Sequence, residues 1–188
     1  MNDLLEHEGV KRVRAALDAA KHPTDVLTLK ESAATAKDAA SAVGCELGAI
    51  VKSLVFMIEN RFVLVLIAGD RVCLPENLPR ALALQGPVRK AEAGEVRFAT
   101  GFAIGGVAPV GFPRKIPCVL DRSLKRFETV FAAAGHPNCI FPTTVEWLKN
   151  MTGAIVSYNI AAEDIGKSAA KAEGGQGGKA GAKAATKK

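Results

Sequence analysis

Aromatic side chains are scarce in this sequence of 188 residues, where eight Phe, one Tyr and one Trp make up 5%. A core must be built mostly from aliphatic groups, and a row of rings on which successive bases could stack is not evident. The four cysteines, Cys45, Cys73, Cys118 and Cys139, form no C-x-x-C pair. That spacing argues against a zinc site or a dithiol redox motif and is that of free thiols in a reducing cytosol. No G-x-S-x-G or H-E-x-x-H occurs, and the glycine-rich stretch 101–111 is followed by no Gly-Lys-Ser/Thr and does not match G-x-G-x-x-G, so the local signatures of a serine hydrolase and a zinc protease are missing and that stretch is neither a P-loop nor a dinucleotide-binding turn. Any hydrolysis here is expected to run without a covalent intermediate. Long apolar runs are missing too. Residues 54–58 and 62–68 are separated by Glu59-Asn60-Arg61, and each is far short of the roughly 20 residues of a membrane span. The start, Met1-Asn2-Asp3, is polar with no apolar stretch after it. The expectation is therefore a cytoplasmic protein without a signal peptide or membrane partner.

What is present suits one compact domain, with 48% hydrophobic and 23% charged residues. The net charge of +6 is unevenly spread: residues 167–188 hold six lysines against one glutamate, leaving the body near +1. Whole-chain basicity therefore says little about nucleic-acid binding by the folded part, although Lys11-Arg12-Val13-Arg14 and Arg122 with Lys125-Arg126 are local basic clusters. The division expected is a single domain over 1–166 and a disordered Lys/Ala/Gly-rich tail over 167–188.

Hydrophobic periodicity predicts a helix over 3–21, with Val10, Val13 and Leu17 on one face. A short strand is expected over 25–29. A second helix is expected over 35–43, capped by Thr35 and stopped by Gly44. Residues 50–58 and 61–68 read as strands joined by a tight turn at Glu59-Asn60, and their nearly continuous apolar character predicts cover on both faces. A short helix over 78–84, an irregular glycine-rich segment over 100–113 and strands over 116–120, 129–133 and 154–158 follow. A helix over 142–151 is expected between the last two strands, capped by Thr143, with Glu146 completing the box and Gly153 ending it. The pattern is α+β: a mixed β-sheet forming a partial barrel, flanked by helices.

Two features could carry chemistry. Lys52 shares a strand face with Ile50, Leu54 and Phe56, so it must either snorkel to the strand end or meet an anion. Residues 101–111 (GFAIGGVAPVG) combine glycines with buried-type apolar residues. The segment is either a bulged strand with a turn or a backbone cradle that approaches a ligand closely. His136, between Gly135 and Pro137, sits in a turn, where binding residues and plain surface residues both occur.

Taken in order, residues 50–56 (IVKSLVF), 100–111 (TGFAIGGVAPVG) and 132–138 (AAAGHPN), with Thr35-Ala36 and Asp121, resemble the YbaK/prolyl-tRNA-synthetase-associated family of aminoacyl-tRNA deacylases (ProX-like). The likeness runs from about residue 25 to about residue 157 and implies the same partial-barrel fold. It implies a trans-editing enzyme that hydrolyses the ester of mischarged tRNA, typically proline tRNA carrying a small wrong amino acid, with an aminoacyl-tRNA synthetase as a further partner. By that resemblance Lys52 engages the 3′ end of the tRNA. Gly105 to Pro109 match the loop that holds the aminoacyl group, and Ser53 and His136 match polar positions near the pocket. The expected catalytic residues are Lys52, Gly105 and His136. The expected substrate contacts are Ser53, Gly101, Gly106, Val107, Ala108 and Pro109. No metal or cofactor is expected. Some members carry an aromatic on the strand matching 25–29, where this chain has Asp-Val-Leu-Thr-Leu. The alternatives are a non-catalytic nucleic-acid-binding accessory that uses the basic tail, and a hydrolase of small-molecule esters.

Overall fold

The computed structural model describes residues 4–30 and 32–164. The expected tail, residues 167–188, lies outside the described residues.

The first helix is shorter than its periodicity suggests. A single 3₁₀ turn, Leu4–Glu6, precedes α1, Glu8–Ala19. The two are separate because His7 is extended (φ −60°, ψ 132°) and its ring Nδ1 caps the helix by accepting the Gly9 N–H. At the far end Lys21 takes a left-handed φ of 55°, so the helix stops before Pro23 is reached. The second helix, α2, spans Ala36–Val43. Thr35 is its N-cap and accepts the Asp38 N–H, and Gly44 closes it at φ 71°. We expect Thr35→Ala to cost about 1 kcal/mol, seen as a fall of roughly 2–4 °C in Tm. A melting temperature unchanged to within measurement error would show that the cap is not holding this helix.

The central hairpin is β2, Ile50–Ile58, and β3, Arg61–Ala68. Glu59 reaches a left-handed φ of 53° to make the two-residue turn between them. Strand alternation sends Leu64, Leu66 and Ala68 into one core and Val63, Val65 and Ile67 into another. The larger core is closed by α1, by α4 (Ala93–Thr100) and by α5 (Val145–Thr152). The second is covered by Leu78 and Leu82 of α3, Leu78–Leu82, and by Ile160. A third cluster joins Ala39 and Ala40 of α2 to Ile50 and Phe131. Cover on both faces is what the unbroken apolar runs require.

The remaining strands are β1 (Leu27–Thr28), β4 (Arg71–Cys73), β5 (Val88–Lys90), β6 (Cys118–Asp121), β7 (Val130–Ala133), β8 (Cys139–Thr143), β9 (Ile155–Ser157) and β10 (Ala161–Glu163). They form a mixed sheet in the order β1-β8-β7-β2-β3-β6-β9, with β5 also paired to β2, and a separate β4–β10 ribbon. The β2–β7, β3–β6 and β6–β9 pairs are parallel and the others antiparallel. The mixed sheet flanked by helices is the architecture expected from sequence. The fifth helix, however, begins later than expected: Thr143 is the last residue of β8, and Thr144 is the cap, accepting the N–H of Trp147. Glu146 therefore lies one position short of a capping box and instead pairs with Lys125 and Lys149. Strand β8 escapes a sequence reading because Pro142 sits inside it. It is tolerated there because β1 pairs only with Ile140 and Cys139, so no ladder needs the missing N–H.

Candidate functional site

The sheet is interrupted along one edge of β2. Strand β7 pairs with β2 only at Ile50 and Val51, and β5 only from Phe56 to Ile58. The Ala91 N–H extends the second pairing by one bond, to the Val55 carbonyl at 3.0 Å. Ser53 has the same parity as Val51 and Val55, so its main-chain N–H and C=O point to this edge and lie outside both ladders. Its side chain is likewise unsatisfied: Ser53 Oγ is buried without a hydrogen-bond partner. Such a group costs about 1–3 kcal/mol when left alone and marks a place where a polar ligand would be held.

A cavity of about 200 Å³ opens at this gap. Ala33, Ala34, Ala36 and Ala39 form one wall, with Ile50, Phe131 and Ile140 behind them, and Thr35, Lys52 and Ser53 are its polar lining. The loop after α4 closes the other side through Ile104, Gly105 and Val107. A smaller lobe of about 80 Å³ continues past Ser53, Gly105 and Val107 to Lys90, Ala91 and Val96. Gly105 adopts φ +90°, and a Cβ there would lie 3.6 Å from that of Ala34 across the cavity mouth. Ile104 beside it is 60% exposed, an apolar lip that no core claims.

Lys52 neither stretches straight into solvent nor is buried. It lies where the cover provided by α2 gives way to that provided by α3, half-buried, and its Nζ donates to the Arg71 carbonyl at 2.6 Å. The ammonium is a compact charge with three donors, and this bond directs it across the end of β3.

The structure thus brings Lys52, Ser53, Gly105 and Val107 together around one cavity. The other expected site residues lie elsewhere. Gly101 is the exposed C-cap of α4, and its carbonyl accepts from Arg12 Nη2 at 2.7 Å. Ala108 is fully buried. Pro109 lines a different hollow, with Ala16, Phe112 and Met151. Gly106 supports the loop from behind: a Cβ there would come within 3.1 Å of the His136 backbone. His136 itself faces His7, ring centroids 5.1 Å apart, and its Nδ1 accepts the Asn138 N–H. It is absent from the cavity lining, and its backbone lies behind the Gly106 turn. Asp121 is buried and caps the 3₁₀ turn that follows β6, accepting from Ser123. The alanine wall and Ile104 are what a search for polar chemistry passes over. The run Ala33-Ala34-Thr35-Ala36 is their one trace in the sequence.

Desolvation, reinforced by the neighbouring charge of His7, holds the His136 imidazole below the usual histidine range. A base whose folded pKa is depressed takes up protons more readily when unfolded, so its contribution is present above the ordinary value of about 6.5 and is lost as pH falls through it. Native protein is therefore expected to lose more stability than His136→Asn between pH 7.5 and 5.5, read as the shift in urea midpoint. Equal losses in the two proteins would remove His136 from the account. Among the described residues no cluster of His, Cys, Asp and Glu is arranged to hold a metal, and no helix is long and apolar enough to cross a membrane.

The model of the aminoacyl-tRNA editing domain matches residues 30–150. YwhH of Bacillus subtilis (strain 168), described as uncharacterized, is 34% identical over 144 residues, covering 76% of this chain and 90% of that one. A stretch of 87 residues is 31% identical to the proline–tRNA ligase of Lysinibacillus sphaericus (strain C3-41), which is 46% of this chain but 15% of the ligase. A crystal structure described as that of a candidate trans-editing enzyme for prolyl-tRNA synthetase superposes with a TM-score of 0.75 at 41% identity, over 80% of this chain and 96% of that one. The matched segment contains the open edge of β2, the alanine wall and the Gly105 loop, and the chain belongs to the aminoacyl-tRNA editing domain family.

Proposed function

We propose that this chain is a trans-acting deacylase that hydrolyses the ester of mischarged tRNA, with proline tRNA carrying a small wrong amino acid as its substrate. The observation that carries this reading is the open edge of β2. Unpaired main-chain groups and an unsatisfied Ser53 Oγ face a cavity of about 200 Å³ walled by alanines. That is below the roughly 300–1,000 Å³ of pockets for drug-sized ligands and suits a small side chain joined to a polar ester. Editing is needed because a synthetase pocket separates substrates differing by one methylene by only about 1–3 kcal/mol. The prolyl-tRNA relatives support proline tRNA as the carrier.

In this mechanism Lys52 holds the terminal nucleotide by charge. Ser53 and the main chain around Gly105 orient the ester and stabilise its oxyanion, a contribution of order 3 kcal/mol per donor in known oxyanion holes. Water adds to the ester carbonyl, the bond to the ribose oxygen breaks, and the proton that the water loses passes to that oxygen by way of the neighbouring ribose hydroxyl, so little acid–base machinery is asked of the protein. His136 takes no part in this mechanism, since its ring lies against His7 and it is absent from the cavity lining.

The deciding experiment is a panel of proline tRNAs carrying Ala, Ser, Cys or 2-aminobutyrate beside correctly charged Pro-tRNA, with release followed at sub-saturating enzyme. Hydrolysis of at least one small residue with proline spared is the expected result. Hydrolysis of none, or of Pro-tRNA as fast as the rest, would overturn the proposal.

A further inference from the structure

A second cleft, of about 510 Å³, lies at the ends of β6 and β9, beyond β3 from β2, and is unlike the cavity in character. It is lined by Arg71, Arg122, Ser123, Lys125, Arg126 and Tyr158, with the buried Asp121 at its base. Two of these cations are already engaged: Arg126 grips Asp70 through two contacts of 2.7 and 2.9 Å, and Lys125 lies 3.6 Å from Glu146. Arg122 is available to a ligand, and Arg71 is so in part, since it pairs with Glu163 but keeps one donor unmatched. Arg122 has no carboxylate partner among the described residues, and its guanidinium lies over the Tyr158 ring, 4.7 Å from the centroid. Arg71 touches the largely exposed Glu163 through one Nη at 3.5 Å, while its Nε is buried with no acceptor. Tyr158 is 73% exposed, so the outer face of its ring is open. A planar cation beside an open aromatic face, next to a second arginine with an orphan donor, is suited to a phosphodiester carrying a base.

The position of the cleft narrows the ligand. Arg71 lends its side chain to the cleft and its carbonyl to Lys52, 2.6 Å from Nζ. Lys52 in turn lines the cavity. Cleft and cavity are therefore joined through one residue, and a strand leaving the cavity past Lys52 arrives at Arg71.

We propose that this cleft binds the single-stranded 3′ end of the tRNA, with Arg71 and Arg122 on its phosphates and one unpaired base stacked on Tyr158. The inference rests on the deacylase reading for its direction, and its test is kept separate by using uncharged RNA. The probes are full-length uncharged proline tRNA and the same tRNA lacking its last three nucleotides, both labelled at the 5′ end. Their binding to the full chain is followed by anisotropy at about 0.15 M salt, where non-specific phosphate contacts are weakened.

Tyr158→Ala and Arg122→Ala should each weaken binding of full-length tRNA about tenfold, as loss of one stacked base implies. Tyr158→Phe should bind as native, because the ring face is kept. Removing the last three nucleotides should cost native protein a similar factor and cost Tyr158→Ala little more. Both side chains are exposed, so melting temperatures should hold. Binding within twofold of native in both alanine variants, or an equal loss on the shortened tRNA, would overturn the proposal. So would displacement of the tRNA by AMP at concentrations near the Kd of the tRNA, which would make the cleft a site for a free nucleotide. If native protein binds as described but deacylates nothing, the deacylase reading fails and the cleft stands. If it deacylates and the variants bind normally, the reverse holds.

Discussion

Lys52→Ala should lower kcat/KM for ester hydrolysis at least about 100-fold, or roughly 2.7 kcal/mol of transition-state stabilisation. The magnitude follows from where the ammonium is held. It is half-buried between two apolar clusters, where a charge interacts more strongly than in bulk water, and it lines the cavity beside the open edge of β2. Its bond to the Arg71 carbonyl keeps it at the end of β3 before any substrate arrives, so little ordering remains to be done on binding. The same bond joins β2 to the start of β4, and losing it should cost on the order of 1 kcal/mol, a fall of roughly 2–4 °C in Tm. The two effects separate in one pair of measurements, single-turnover deacylation and a thermal melt. Lys52→Arg retains charge but replaces a compact group by a planar fork that does not fit one carbonyl and one anion in the same way, so it should recover less than about a tenth of native activity. A Lys52→Ala protein within twofold of native on a substrate that native hydrolyses would remove Lys52 from the mechanism.

Some elements can be read in the sequence nearly residue for residue. Helix α2 is one, because Thr35 and Gly44 mark its ends by local chemistry that tertiary packing does not override. The β2–β3 hairpin is another, because its apolar runs leave only Glu59-Asn60 for the turn. Strands β4, β5 and β10, each of three residues, are not legible, since their pairing is decided by partners far away in the chain. The site divides along the same line. Lys52 and Gly105 stand out as a charge on an apolar face and as a glycine in an apolar loop. The gap at Ser53 is invisible, because it is made by where β5 and β7 stop. The setting of Tyr158 is hidden for a related reason: composition counts one tyrosine, and only the fold places it against Arg122 at the edge of a cleft.

Gly105→Val is the other substitution expected to act strongly, and it acts through the backbone. At φ +90° a β-branched residue is badly strained, at a cost of about 1–3 kcal/mol if the conformation were kept. The loop is at the surface and has a cheaper response, which is to move to negative φ. Its neighbour Gly106 cannot follow freely, since a Cβ built there would already lie 3.1 Å from the His136 backbone, so the displacement falls on the segment facing Ser53. A shift of about 1 Å in a group that orients the reacting ester is worth about 100-fold in rate, and Gly105→Val is expected to lose that much kcat/KM while Tm falls by only a few degrees. Gly105→Ala should sit between native and valine, because it shares the strain in φ but not the bulk. Equal rates for native and valine proteins, with the loop shown to be intact by an unchanged melt, would mean that the main chain at Gly105 touches nothing that changes charge during hydrolysis. The oxyanion would then have to be held by Ser53 alone, and a Ser53→Ala protein would carry the whole deficit in its place.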